Sequence, residues 1–383
     1  MTTLSPLGIK RVDSLHFYVR DLERSRALLV DTLDFAEIGT SSHELEQAGK
    51  QRSAAFRAGE ATFVLCQPLG EGGRAWRFLN KHPEGLGTVV FEVEDAARCF
   101  ALLEERGATT ISDVETFEDE GGQLHTFSIT TPFGDTTFRF VERRGYGKLL
   151  PGFHSYQAPA GGRNSHGFTV IDHITTNFPT MKPALLWMEH VMGFQQYWGV
   201  EFHTNDLTPE ASHGTGLKSV VMWEPVSGVK FANNEPARPH FRSSQINVFS
   251  EDHRGPGVQH VALEVSDIVR AVGRLRERGA EFMTTPGTYY DLLPQRLKDL
   301  GIGEIEEDIE VLRDLGILVD GDQAGEYMLQ IFLQELSQLH SDPEAGPFFF
   351  EVIQRKGDQG FGAGNFRALF ESIEQEQVRA GRI

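Results

Sequence analysis

The sequence predicts an α+β protein made of two tandem domains of similar build, and three internal repetitions carry that reading. The first sets Glu92–Ala108, EVEDAARCFALLEERGA, against Glu264–Ala280, EVSDIVRAVGRLRERGA, at an offset of 172 (264 minus 92). The two share Glu, Val, Asp, Arg, Leu and a closing E-R-G-A. The second sets RVDSLHFYVRDL, near residue 11, against TVIDHITTNFPT, near residue 169. The third sets TTFRFVERRG (136–145) against FFFEVIQRKG (348–357). Repetition in a fixed order is the mark of a duplicated structural unit.

Taken in chain order, each half opens on a strand, near residues 11 and 169. An amphipathic stretch follows and ends in LDF (33–35) or MGF (192–194). Next comes the end of a strand that runs into a helix: Ile268, Val272 and Leu275 recur at helical spacing, and Gly279 sits where a C-terminal cap belongs. Further strands close the unit. The Gly/Pro-rich segment GYGKLLPGFHSYQAPAGGRNSHG reads as a hinge. The predicted division is therefore a domain over 1–144, a linker over 145–167 and a second domain over 168–383.

Bulk properties narrow the class of function. A chain of 383 residues is long for one core, and 39% hydrophobic with 24% charged residues describes an ordinary globular protein. A formal charge of -19 argues against a nucleic-acid partner, though not against an anionic substrate. Two cysteines, Cys66 and Cys99, cannot build a disulfide framework. No apolar run approaches a membrane span, and MTTLSPLGIKRVD lacks a secretory apolar core. The expectation is a cytoplasmic protein with no membrane partner.

Matching the halves position by position isolates a trio. The repeat sets His16 against His173, Thr88 against His260, and Arg139 against Glu351. A guanidinium cannot ligate a cation, so the first half reads as a site without a metal. Two imidazoles and one carboxylate on one face of an octahedral ion leave three positions open, the arrangement of non-haem iron(II) oxygenases. Alternating strand residues can aim such groups into a common cup. Glu351 stands among Phe348, Phe349, Phe350 and Val352, where an uncompensated charge is costly. A single strand histidine is more often a hydrogen-bonded structural residue; here it is the trio at equivalent places that argues for metal. His190, His203, His213, His240 and His253 read as surface or loop residues.

Several stretches, taken in this order, resemble the 4-hydroxyphenylpyruvate dioxygenases of the vicinal oxygen chelate superfamily. They are VIDH (170–173), GPGVQHVAL (255–263), TPGTYYDLL (285–293), YMLQIF (327–332), FFFEVIQRKG (348–357) and GFGAGNFRALFESIE (360–374). The resemblance spans almost the whole chain. It implies tandem domains of paired βαβββ units, each a curved, barrel-like mixed sheet with outer helices. It implies Fe(II) held by His173, His260 and Glu351 in the C-terminal domain. It implies conversion of the aromatic 2-oxo acid 4-hydroxyphenylpyruvate and O2 to homogentisate and CO2, as in tyrosine catabolism, without separate 2-oxoglutarate. Self-association as a homo-oligomer, dimer or tetramer, is implied too.

The same resemblance assigns a pocket. Ser219, Asn234 and Gln245 correspond to polar residues around the substrate, and Gln259 and Gln330 to a polar pair near iron and substrate. Phe332, Phe361 and Phe366 correspond to an aromatic wall and to a lid from the last helix. By their residues alone, Asn234 before Glu-Pro also suits a turn, and Phe366, Leu369, Phe370 and Ile373 recur at a spacing that simply docks a helix. Ala232 stands where the family usually has Pro, followed by an extra Asn233. The offset at the third ligand is 212 (351 minus 139), forty more than at the second. The extra length includes acidic 301–325, which reads as a solvated helix and turn. The nearest rival is hydroxymandelate synthase, with the same iron and substrate; Asn234 and Phe366 favour ring hydroxylation. An extradiol catechol dioxygenase and a metal-free binding protein are further alternatives.

Overall fold

The structure, a computed structural model, describes residues 4–203, 215–362 and 364–365. Its first half contributes β1 (Ile9–Tyr18), β2 (Ala36–Ser41), β3 (Gln51–Ala58), β4 (Ala61–Pro68), β5 (Gly85–Val93), β6 (Thr110–Asp119), β7 (Gly122–Ile129), β8 (Thr137–Arg144) and β9 (Phe153–Gly161). The second contributes β10 (Phe168–Asn177), β11 (Gln195–His203), β12 (Gly216–Trp223), β13 (Lys230–Pro236), β14 (Gly257–Val265), β15 (Leu318–Gln323), β16 (Glu326–Phe332) and β17 (Phe349–Lys356). The sheet orders are β6-β7-β8-β5-β1-β4-β3-β2-β9 and β11-β12-β13-β10-β14-β17-β16-β15. Read from opposite ends, the two orders coincide, with β9 added at one edge. The duplication seen in the letters is thus a duplication of topology.

Local signals match the elements. The helices Ala96–Glu105 and Ile268–Glu277 keep the offset of 172 at both ends. Asp95 and Asp267 cap them by accepting from the amides of Arg98 and Arg270. Ile268, Val272 and Leu275 are all fully buried. The expected linker is corrected in its middle: Phe153–Gly161 pairs antiparallel with β2 and extends the first sheet. The acidic stretch is corrected too. Ile309–Leu315 is a helix, but Leu318–Gln323 pairs with β16, with Leu318, Val319 and Asp320 buried.

Strand alternation decides what faces what. On β1, Leu15 and Phe17 face the other domain. The Phe17 ring packs at 5.1 Å on Phe348, Phe63 at 5.6 Å on Phe350, and Phe138 at 5.7 Å on Phe231. The two sheets therefore share one aromatic core, each ring contributing about 2–3 kcal/mol on burial. The intervening residues point away from it, into the hollow of each sheet.

Candidate metal centre

Three neighbouring strands bring the trio together. On β10 and β14, His173 pairs with Ala262; on β14 and β17, Ala262 pairs with Glu351. His260 lies two residues before Ala262, so all three side chains leave the same face. Their ligand atoms lie within 4.8 Å of one another, and all three residues are buried.

Each imidazole is held from behind. His173 Nδ1 donates to Asp172 Oδ1 at 2.7 Å, and His260 Nδ1 donates to Gln259 Oε1 at 3.2 Å. That leaves both Nε2 lone pairs aimed at the hollow, where they lie 3.4 and 3.2 Å from Glu351 Oε2. Glu351 Oε1 is buried with no hydrogen-bond partner. A buried orphan oxygen beside two oriented nitrogens suits a divalent cation. Burial opposes charge on His173, but Glu351 and Asp172 outweigh it and raise its pKa. His260, facing the one carboxylate, is lowered by burial. Burial also opposes charge on Glu351, yet the two imidazoles hold it below the usual carboxylate range.

The rest of the hollow contains four of the eight pocket residues expected from sequence. Asn234, Gln330, Phe332 and Phe361 line it with Thr175, Ala232, Met328, Ile353 and Arg355. Ser219 pairs with Asn234 across β12 and β13, and Asn234 Nδ2 donates to Asn177 Oδ1 at 3.0 Å. Ser219 Oγ, Asn234 Oδ1 and Gln245 Oε1 are buried without partners. Gln245 stands at the first turn of the helix Gln245–Asp252. Gln259 sits behind His260 and does not line the hollow, so its place is that of a positioning residue. Phe361 rests on the His173 ring at 5.0 Å. Gly362 follows with φ +63, a left-handed conformation that favours glycine at this bend. Phe366 and the expected lid helix lie outside the described residues, as does His213.

Some neighbours take places that the sequence did not indicate. Asn233 is a satisfied core residue, donating to Val220 and Phe231 carbonyls and accepting from Thr176. His253 is buried, not on the surface, with its ring stacked 4.7 Å from His82 of the other domain. Asp172 and Arg355 were missed as a pair. A signal existed: Asp13 and Arg143 occupy the same places in the first half. The pairing also corrects the first repeat match. Ser14 faces Val90 as His173 faces Ala262, and His16 faces Thr88 as Thr175 faces His260. The first half thus presents Ser14, Thr88 and Arg139 at the ligand positions. His16 matches Thr175, while the other two matches stand.

Models of the Glyoxalase/Bleomycin resistance protein/Dioxygenase superfamily match residues 13–127 and 170–294, one in each half. The chain is 36% identical to a 4-hydroxyphenylpyruvate dioxygenase of Coccidioides posadasii, over 97% of this chain and 94% of that protein. It is 34% identical to the Aspergillus fumigatus enzyme of that name, over 98% and 94%. A Danio rerio counterpart is 33% identical, over 96% and 91%. Among solved structures, a triple mutant of 4-hydroxymandelate synthase from Streptomyces coelicolor superposes with a TM-score of 0.78 at 27% identity, over 97% of this chain and 99% of that one. Among the described residues no helix is long and apolar enough to cross a membrane.

Proposed function

This chain belongs to the 4-hydroxyphenylpyruvate dioxygenase family, and from that premise we propose that it binds Fe(II) through His173, His260 and Glu351 and converts 4-hydroxyphenylpyruvate and O2 to homogentisate and CO2. The observation that carries the proposal is the pair of Nε2 atoms turned toward Glu351, each imidazole fixed through its Nδ1. When bound, the metal supplies the redox chemistry with O2 and the Lewis acidity that a chelating 2-oxo acid requires.

The chain's own groups supply position and dryness. Asp172 and Gln259 fix the imidazole orientations. Asn234 and Gln330 offer polar contacts, while Phe332 and Phe361 wall off water. The free space within the hollow is about 30 Å3, roughly one water's share of liquid.

The likeness to a 4-hydroxymandelate synthase structure keeps a second reading in view, benzylic instead of ring hydroxylation. Product analysis decides. Purified protein with Fe(II), O2 and 4-hydroxyphenylpyruvate is expected to release CO2 and homogentisate. Hydroxymandelate as the main product moves the assignment to the second reading, and no turnover with bound iron rejects both.

A further inference from the structure

The N-terminal sheet encloses a cavity of its own, about 400 Å3, in the hollow that corresponds to the metal centre. That volume is in the small-molecule range. Metal is excluded by the residues at the ligand positions. Thr88 Oγ1 is engaged by Tyr18 Oη at 3.1 Å and Thr137 Oγ1 at 2.9 Å, and Ser14 Oγ by Asp13 and His16. The third position, Arg139, is a cation.

Arg139 lines this cavity, and its charge is not answered from within. Its Nε donates to Ser128 Oγ at 3.3 Å, and among the described residues it has no other hydrogen bond and no ion pair. Arg143, four residues on, shows the contrast: it is clasped by Asp13. A half-buried guanidinium fork without a carboxylate is an unmatched anion receptor. A second observation points the same way. Thr126, only 9% exposed, also lines the cavity, and its Oγ1 has no partner. His16, on the same surface, is kept neutral, its pKa pushed down to about 3 by burial and then by Arg139. It can therefore accept or donate a hydrogen bond without adding charge.

We propose that this cavity is a second ligand site that holds a small aromatic monocarboxylate, its carboxylate on Arg139 and its ring on the apolar wall. The wall is formed by Tyr18, Phe117 and Phe153, which offers flat apolar surface for a ring. Arg74 also lines the cavity, but its guanidinium lies over the Tyr18 ring and donates to the Gly87 and Asp135 carbonyls, so Arg139 is the fork left to receive a single carboxylate, with Glu115 exposed at the rim. Duplication supplied two hollows. One presents His173, His260 and Glu351 at the equivalent positions, and the other presents Ser14, Thr88 and the fixed cation Arg139. The proposal stands independently of the reaction run in the C-terminal domain.

The test is calorimetric titration of the metal-loaded full chain with 4-hydroxyphenylacetate, an aryl carboxylate that lacks the chelating 2-oxo group. Arg139→Gln is expected to weaken one binding event about tenfold or more, as loss of a charged hydrogen-bond pair should. Arg139→Lys is expected to retain part of the affinity, and the thermal midpoints of both variants to stay near that of the parent. Identical isotherms for parent and Arg139→Gln overturn the proposal, as does absence of binding by the parent at millimolar ligand. If Arg139→Gln does not fold, Thr126→Val decides: about threefold weaker binding supports the site, and an unchanged isotherm overturns it.

Discussion

Arg355 clasps Asp172 at two points, Nε to Oδ2 at 2.6 Å and Nη2 to Oδ1 at 2.7 Å, and Asp172 in turn accepts from His173 Nδ1. The clasp joins β10 to β17, the strands of the first and third ligands, across the intervening β14. Burial opposes charge on Asp172, yet Arg355 and His173 hold its pKa well below the usual carboxylate range. The first half repeats the clasp, Arg143 on Asp13 with both contacts at 3.0 Å, though it lacks the ligands. Strand bracing is common to both halves; orienting a ligand belongs to one.

That difference is testable. Asp172→Asn is expected to weaken metal affinity about 10–100-fold, the usual effect of losing a ligand's carboxylate support. Leaving Arg355 buried without its partner should also cost about 3–5 kcal/mol of stability. Asp13→Asn should cost stability and leave metal affinity unchanged. Competition with a coloured chelator reads the first quantity and denaturant titration the second. Equal metal affinity in parent and Asp172→Asn would remove Asp172 from the positioning role.

Glu351→Gln preserves shape but withdraws the carboxylate. Metal content should fall to background and turnover should disappear, with circular dichroism unchanged. The thermal stabilisation that added metal confers on the parent should vanish too, since ligand binding and stability are linked. His16→Ala, by contrast, should leave metal content as it was. Substantial turnover by Glu351→Gln would sink the ligand assignment.

Much of this was readable in the letters because the halves repeat. E-R-G-A fixed the offset of two helices to the residue, and Thr88/His260 and Arg139/Glu351 fall opposite their structural counterparts. The first strand was misaligned for a physical reason. A shift of two residues keeps every side chain on its own face, so alternation cannot detect it. Only strand pairing distinguishes Ser14 from His16 as the partner of His173. The hollow's polar residues were reached through family resemblance, since nothing local in LKSVV or SSQIN marks Ser219 or Gln245 as pocket residues. β9 was hidden by its Gly/Pro-rich setting; it is a mostly exposed edge strand with no alternating apolar face to announce it.

We propose that Asn234 carries the choice between products. Its Oδ1 is buried without a partner, while its Nδ2 is engaged by Asn177. A group so placed is available to a substrate hydroxyl or to the ring edge. Asn234→Val is expected to lower the homogentisate fraction in favour of benzylic hydroxylation, with iron content unchanged. Chromatography of the products checks it. An unaltered product ratio together with an unaltered KM would exclude Asn234 from orienting the ring.

The domain contact should be sensitive to acid through His253. Its ring stacks at 4.7 Å on His82, and its backbone carbonyl is bonded by His82 Nδ1 at 2.9 Å. A Cβ on Gly257 would come within 2.3 Å of the His253 ring, so the close packing requires glycine there. Burial, then His82, pushes the His253 pKa from 6.5 down to about 4, against weaker opposition from the Gly255 carbonyl and Asp135, with Arg254 adding to the depression. Between those values the unfolded chain takes up a proton that the folded one refuses. Stability is therefore full above pH 6.5, declines as pH falls toward 4 and levels off below, a loss of about 3 kcal/mol from this residue. His16, lowered to about 3, adds a decline of the same sign. The informative measurement is thus a difference. Urea unfolding of parent and His253→Phe between pH 7.5 and 4.5 should show a shallower decline in the variant, which keeps an aromatic ring on His82 and cannot be protonated. Parallel curves would mean that the stacked pair takes no part in acid unfolding.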